Sequence, residues 1–496
     1  MDKRIWKPLA MTLAVSAASV SYVHADVDVD NDGLIEISTL QELDLMRYDL
    51  AGTSLNGDST GCPAAGCNGY ELVADLDFDT NGNGVADAGD LFWNGGAGWE
   101  PIPSLLNSQF NGNGHVIENL SISREGDSIG LFSLIKGSFV SNLKFHKPEI
   151  YASSYSFVEG VGTLAGHIED SNVERVSAEE VSITKEYRVD QTGLLIGHIK
   201  ATSGNTVQIS DIKVSGSVVS EGLQWGNEIG GLAGYARAQD LNGIQITNID
   251  STIEVYGGSN IGGIVGDARN VTIAFSNSEI ICELYSRYCG GIVGKAFFTH
   301  IHDVSASGDL STTNTSITGT LGGIAGHLQH GSIERSSFQG MLRVPNNYGT
   351  SGGIVGYGRI VELRDLEASG HFEGGTSVGG IIASLRLGDS GVVNKIERTY
   401  AAAIMSATNN VGGVVAAYIN YEEEVTDSEI NSIVESSYWD SDLTAAISSR
   451  GGAGKTTFEL QCPTMPGDVS CDASMYSGWD DTIWDFGTSS DYPVLR

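Results

Sequence analysis

The sequence predicts an all-β fold: a right-handed parallel β-helix, or β-solenoid, of about ten glycine-rich coils with a cap at each end. Three observations predict it. A five-residue core recurs at a spacing near thirty residues. The stretches between cores alternate apolar and polar residues. Gly is abundant at 65 of 496 residues, whereas Pro is scarce at 9. A repeat array grows along one axis, so length does not translate into a number of globular domains.

The cores follow the pattern Gly-Gly-Ile/Leu-Val/Ala-Gly, as in Gly290-Gly291-Ile292-Val293-Gly294. They begin at Ile129, Gly162, Gly193, Gly230, Gly262, Gly290, Gly322, Gly352, Gly379 and Gly412, which are 33, 31, 37, 32, 28, 32, 30, 27 and 33 residues apart. Between them, segments such as Val207-Gln208-Ile209-Ser210-Asp211-Ile212 have the period of a half-buried strand. Ser, Asn, Gly and Asp fill the gaps with turn chemistry. Pro must be rare where every strand pairs on both sides. The flanking glycines serve tight corners and close backbone approach. The residue after each core varies (His167, His198, Tyr235, Asp267, Lys295, His327, Tyr357), which reads as a solvent-facing corner rather than a metal column.

The ends differ from the array. Residues 1–25 have the form of a secretory signal: Lys3, Arg4 and Lys7, an apolar stretch from Leu9 to Val20, and Val23-His24-Ala25 before the predicted cut. No later segment reads as transmembrane. Residues 26–109 are expected to cap one end, 110–435 to form the solenoid, and 436–496 to form an aromatic, disulfide-stapled cap. Six cysteines fall in three local pairs: Cys62 with Cys67, Cys282 with Cys289, and Cys462 with Cys471. In an exported chain such pairs read as disulfides.

The balance of 27 Lys+Arg against 62 Asp+Glu gives a net charge of −35. That excludes a duplex nucleic-acid partner, which needs a basic face, and disfavours an anionic membrane surface. It suits divalent cations. Two N-terminal loops have the donor spacing of calcium sites. The first places Asp28, Asp30 and Asp32 at positions 1, 3 and 5, Gly33 at 6 and Glu36 at 9, but Thr39 at 12 leaves the closing ligand missing. The second places Asp79, Asn81 and Asn83 at 1, 3 and 5, Gly84 at 6, the Val85 carbonyl at 7, Asp87 at 9 and Asp90 at 12. Calcium there would be structural, ordering the N-terminal cap.

The repeated core resembles the GLUG motif of bacterial surface and secreted proteins, including the region that precedes the catalytic part of immunoglobulin-A-cleaving metallopeptidases. The entry Trp99-Glu100-Pro101-Ile102-Pro103, the stretch from Phe110 to Leu120, and the tail elements Tyr438-Trp439-Asp440 and Ile483-Trp484-Asp485-Phe486-Gly487 are similar to such arrays. The resemblance implies a solenoid and says little of function. Peptidase activity does not carry over, because no His-Glu-x-x-His pattern exists here.

Other motifs are weaker. Ser449 to Thr457 imitates a phosphate loop but has Ser where the first Gly belongs. His300-Ile301-His302 puts two imidazoles on one strand face. The favoured reading is an exported, non-catalytic, adhesin-like protein, secreted or on the outer cell surface, with an extracellular glycan or surface protein as partner. The periplasm is the other compartment that fits. The alternatives are a β-helix polysaccharide lyase or glycoside hydrolase, and a structural spacer in a surface assembly. Two facing acids in one groove would favour the hydrolase.

Overall fold

The computed structural model describes residues 26–158, 160–221, 228–312, 318–345, 348–387, 394–419, 426–444, 449–461, 475–486 and 490–496. The predicted signal segment lies outside them.

Parallel pairing dominates, and it runs from each coil to the next. One column of strands begins at Ile102–Leu106 and Phe132–Lys136 and passes through Ala165–Glu169, Ile196–Ala201, Ala233–Ala238, Val265–Arg269 and Val293–Phe297. It continues through the N-terminal parts of Ala325–Arg343 and Val355–Gly374 to Ile382–Arg386 and Val415–Ile419. The result is a β-solenoid of about eleven turns. At roughly 4.8 Å per coil the rod is about 50 Å long. A second, narrower parallel sheet of ten short strands runs alongside, from Ser128–Ile129 to Asn410–Gly412.

The core is built from columns of one side chain per coil. Ile35, Tyr70, Phe110, Val140, Val173, Ile209, Ile246, Ile273, Ile301, Ile333, Leu363 and Ile396 stand in register, each on top of the next. All are fully buried. Burying each contributes about 1.5–3 kcal/mol, and only stacking achieves it, because a lone coil leaves its faces open. The ladder therefore starts at Ile35, well before the first glycine core.

The glycine core is where the chain passes from the narrow sheet to the wide one. The first Gly ends a narrow-sheet strand and the Val or Ala opens the next wide-sheet strand. The second Gly stacks backbone on backbone: a Cβ at Gly323 would lie 2.0 Å from the Gly353 carbonyl oxygen, and one at Gly353 the same distance from that of Gly380. Close approach, not an unusual φ, demands glycine here. Register also shifts the first core by one residue, since Ile129 pairs with Val161 and Gly130 therefore aligns with Gly162.

The turns between wide-sheet strands use other residues. Asn270, Phe298, His330 and Ile360 form one column of left-handed corners, with φ of 58°, 48°, 53° and 56°. Asp211, Asn248, Phe275, Asp303, Arg335, Asp365 and Arg398 form another. Along the second, Arg335 grips Asp303 with two contacts of 2.7 Å, and Arg398 grips Asp365 at 2.8 and 2.9 Å. These bidentate pairs link consecutive coils at positions that L residues adopt reluctantly.

Both ends carry extra packing. The helix Leu40–Leu45 has a capping box between Thr39 and Glu42 and buries Leu40 and Leu43. At the other end Leu460, Met475, Tyr476, Trp479 and Trp484 gather around Tyr400, and the Trp484 indole N–H donates to Asp365 at 3.0 Å.

Of the three expected disulfides the structure bears out two: Cys62–Cys67, and Cys282–Cys289, the latter buried within one coil. The third pair, Cys462 with Cys471, falls on residues that the structure does not describe. Where the cap is described, aromatic packing on Tyr400 holds it.

Candidate functional site

The first acidic loop folds around its own carboxylates. Asp28 accepts the backbone N–H groups of Asp32 and Gly33 at 3.2 and 3.0 Å, Asp30 accepts that of Asp32 at 3.1 Å, and Asp32 accepts that of Leu34 at 2.8 Å. Gly33 takes φ +94°, the sharp turn that position 6 requires. The carboxylates of Asp28, Asp30 and Asp32 come within 4.8 Å of one another.

Thr39, the weak residue at position 12, is occupied elsewhere. Its hydroxyl accepts the Glu42 N–H and caps the following helix. The carboxylate that faces the loop instead comes from the next coil. Strand Ile35–Ile37 pairs with Gly69–Leu72, with Glu36 opposite Glu71. Oxygens of Asp30, Glu36 and Glu71 also lie within 4.8 Å of one another. Asp30 belongs to both groups and links the five carboxylates. Asp28 is 1% exposed and Glu71 5% exposed. Burial pushes the Glu71 carboxyl up; the Asn113 amide at 2.6 Å opposes this, while Asp32, Asp30 and Glu36 push it further. The nearest basic residue in sequence, Arg47, pairs with Asp44 at 2.6 Å, and among the described residues no Lys or Arg forms an ion pair with the five. An all-oxygen, anionic donor set with no protein cation fits calcium.

The second loop closes differently. Asp79 accepts N–H groups from Gly82, Asn83 and Gly84 at 2.8, 3.1 and 2.7 Å. The side-chain amides of Asn81 and Asn83 donate to Asp87 at 2.9 and 2.7 Å, and Asp90 accepts the Asp87 and Asn81 N–H groups. The Gly89 N–H and the Asn83 amide hold the Asp87 carboxyl below the usual range. The loop has the turn geometry of a cation site, yet its carboxylates are engaged in internal hydrogen bonds and do not form a three-carboxylate group, in contrast to the first loop.

The residues after each core stand in one ladder: His167, His198, Tyr235, Asp267, Lys295, His327, Tyr357. The expectation of a solvent-facing corner needs revising, because Asp267 is 3% exposed and His327 8%. The narrow sheet folds alongside, bringing the Tyr288 ring to 4.8 Å from His327, while His198 packs between His167 at 4.5 Å and Tyr235 at 5.0 Å. Burial pulls His198 down to about 3 and His327 to about 4. Both imidazoles are neutral and separated by intervening coils. Asp267 is gripped by Arg269 at 3.3 Å and Lys295 at 3.5 Å. Burial and then the charge of Asp267 push Glu228 up to about 8.

The remaining motifs disperse. The His300 ring contacts the Ser332 hydroxyl at 2.9 Å and His302 contacts Asp303 at 2.7 Å, so the two do not share a ligand position. The phosphate-loop imitation is absorbed into strand Ala453–Lys455, paired with Tyr438–Asp440. Among the described residues no helix is long and apolar enough to cross a membrane.

No family model matches the chain. A 245-residue alignment, covering 45% of the chain, is 28% identical to Halomucin of Haloquadratum walsbyi, and it spans only 2% of that protein's length. A solved structure from Bacteroides ovatus, provisionally described as an immunoglobulin A1 protease, is similar over 93% of this chain and 92% of its own, at 15% identity and a TM-score of 0.36. These similarities assign the chain to no family.

Proposed function

We propose that the chain is an exported, non-catalytic binding protein, secreted or held at the outer cell surface, whose solenoid presents an extended face and whose entry coils are braced by calcium. The observation that carries the reading is the group of five carboxylates without a cationic partner at the start of the stack. Asp28 and Glu71 are buried beside like charges that need compensation, and millimolar external calcium would supply it. Asp28, Asp30, Asp32, Glu36 and Glu71 would hold the ion. The loop from Asp79 to Asp90 is the second, weaker candidate. Disulfides fit an oxidising exterior. The likeness to Halomucin, a mucin by name, points the same way.

The test is a glycan and surface-protein array probed with residues 26–496, with and without calcium, followed by product analysis of each bound glycan. Binding that weakens in chelator and leaves the ligand intact is the expected result. Ligand turnover would overturn it in favour of the second reading, a glycoside hydrolase. One observation favours that alternative: Glu228, pushed up to about 8, lies within electrostatic reach of Asp267. Turnover abolished by Glu228→Gln would assign the reaction to that pair.

A further inference from the structure

We propose a saccharide-binding cleft between the second acidic loop and the flank of the first coils, specific for uncharged sugars. The inference rests on the extracellular binding reading and names the ligand class for one site.

The cleft has a volume of about 420 Å³, within the range of small-molecule sites. One wall is aromatic. Phe78, Phe92 and Trp99 form an edge-to-face cluster with ring centroids 5.1–6.1 Å apart. Trp93 stands beside this backing, half-buried and lining the cleft. Among the described residues its indole N–H has no hydrogen-bond partner and its ring no aromatic partner. Its backbone is nevertheless fixed: its N–H donates to the Asp90 carbonyl at 3.3 Å, and its own carbonyl accepts from Gly96 at 2.9 Å and Gly98 at 3.0 Å. An unstacked indole on a hydrogen-bonded backbone is a surface for a flat apolar partner.

The facing wall is polar and periodic. Ser121, Glu149 and Ser182 occupy one register position in three successive coils. Asn119, Lys147 and Glu180 form a parallel row at left-handed corners, with φ of 55°, 53° and 56°. Coil stacking spaces each row at roughly 4.8 Å. Hydroxyl, carboxylate and amide groups at that spacing share the cleft with the Trp93 indole. A pyranose ring has the matching character: its C–H face packs on an aromatic ring and its equatorial hydroxyls both donate and accept. Charge narrows the class. Asp79, Asp90, Glu149 and Glu180 line the cleft against Lys147 alone, so uronates and sulfated sugars are repelled and neutral saccharides are admitted.

The test titrates residues 26–496 with cellohexaose, xylohexaose, maltohexaose and chitohexaose, with hexagalacturonate as the anionic control, by calorimetry and tryptophan fluorescence. At least one neutral oligosaccharide should bind with one site per chain, and hexagalacturonate should not. Trp93→Ala should weaken binding at least tenfold, and Trp93→Phe less. Ser182→Val, at an exposed position, should weaken it without altering the circular dichroism spectrum. Absence of binding by every neutral oligosaccharide overturns the proposal. So does binding unchanged in both Trp93→Phe and Ser182→Val. Glycans retained on the array by those variants would leave the wider binding reading intact; a silent array would remove that reading too.

Discussion

Glu71 shows how a site residue is concealed in sequence. The Asp28–Glu36 loop is legible because its donors follow one another at fixed spacing, but Glu71 joins them only through the pairing of Glu36 with the next coil. Its signal was the unfilled position 12 at Thr39, which said that a ligand was missing without saying where it was. Trp93 was equally silent, since a Gly-rich loop gives no register. Glu71→Gln should act with opposite signs in two states. It relieves repulsion in the calcium-free protein, raising its Tm. It also removes a ligand, lowering calcium affinity about tenfold, ~1.4 kcal/mol. Thermal scans in chelator and in calcium read both effects, because a ligand that binds only the folded state raises Tm by mass action. The buried imidazoles make a second prediction. His327 and His198 titrate near 6.5 when unfolded but are held down to about 4 and about 3 when folded. The unfolded chain therefore takes up protons first, so the stability from their neutral burial is complete above about pH 6.5 and is lost as pH falls through 4. For His327 alone the loss is ~3 kcal/mol. His327→Phe should flatten the pH 4–6.5 limb of a urea-denaturation profile.

At the scale of the coil, what was readable depended on whether the backbone or the side chain set the requirement. The second Gly of each core is required because the next coil's carbonyl occupies the place of a Cβ, so the same residue recurs and the eye finds it. The left-handed corners impose only a φ, which Asn, Asp, Phe, His, Ile and Arg all satisfy in this chain, so no letter repeats. The first wide-sheet strand, Ile102–Leu106, lacks the glycine core, so about ten glycine-rich coils and about eleven turns agree. Gly323→Ala tests the backbone requirement directly. Its methyl group would meet the Gly353 oxygen at 2.0 Å and the Phe338 ring at 2.3 Å, so two coils must part. A loss of about 3 kcal/mol is expected in chemical denaturation. Gly82→Ala, with nothing within 4 Å of the new Cβ, should lose only the ~1 kcal/mol of its φ of +71°.

For the molecule as a whole, stability accumulates coil by coil, so the ends carry the risk. The aromatic tail covers Tyr400 on strand Lys395–Ala407, and its Trp484 reaches Asp365 one coil earlier. Deleting residues 436–496 uncovers the parallel edge at Tyr400 and Ala401, where Tyr438 and Trp439 pair. The shortened chain should self-associate, read as a shift from monomer to higher mass in light scattering, and restoring the tail should reverse it. The ladder also has a mechanical meaning. Its hydrogen bonds run along the rod, from each coil to the next, so a pull on the two ends loads them one coil at a time rather than all together. Under tension the rod would peel in steps, each releasing about 100 Å of chain from some thirty residues. A tether built this way lengthens under drag and holds, where a globular linker of equal mass would stay stiff until it broke.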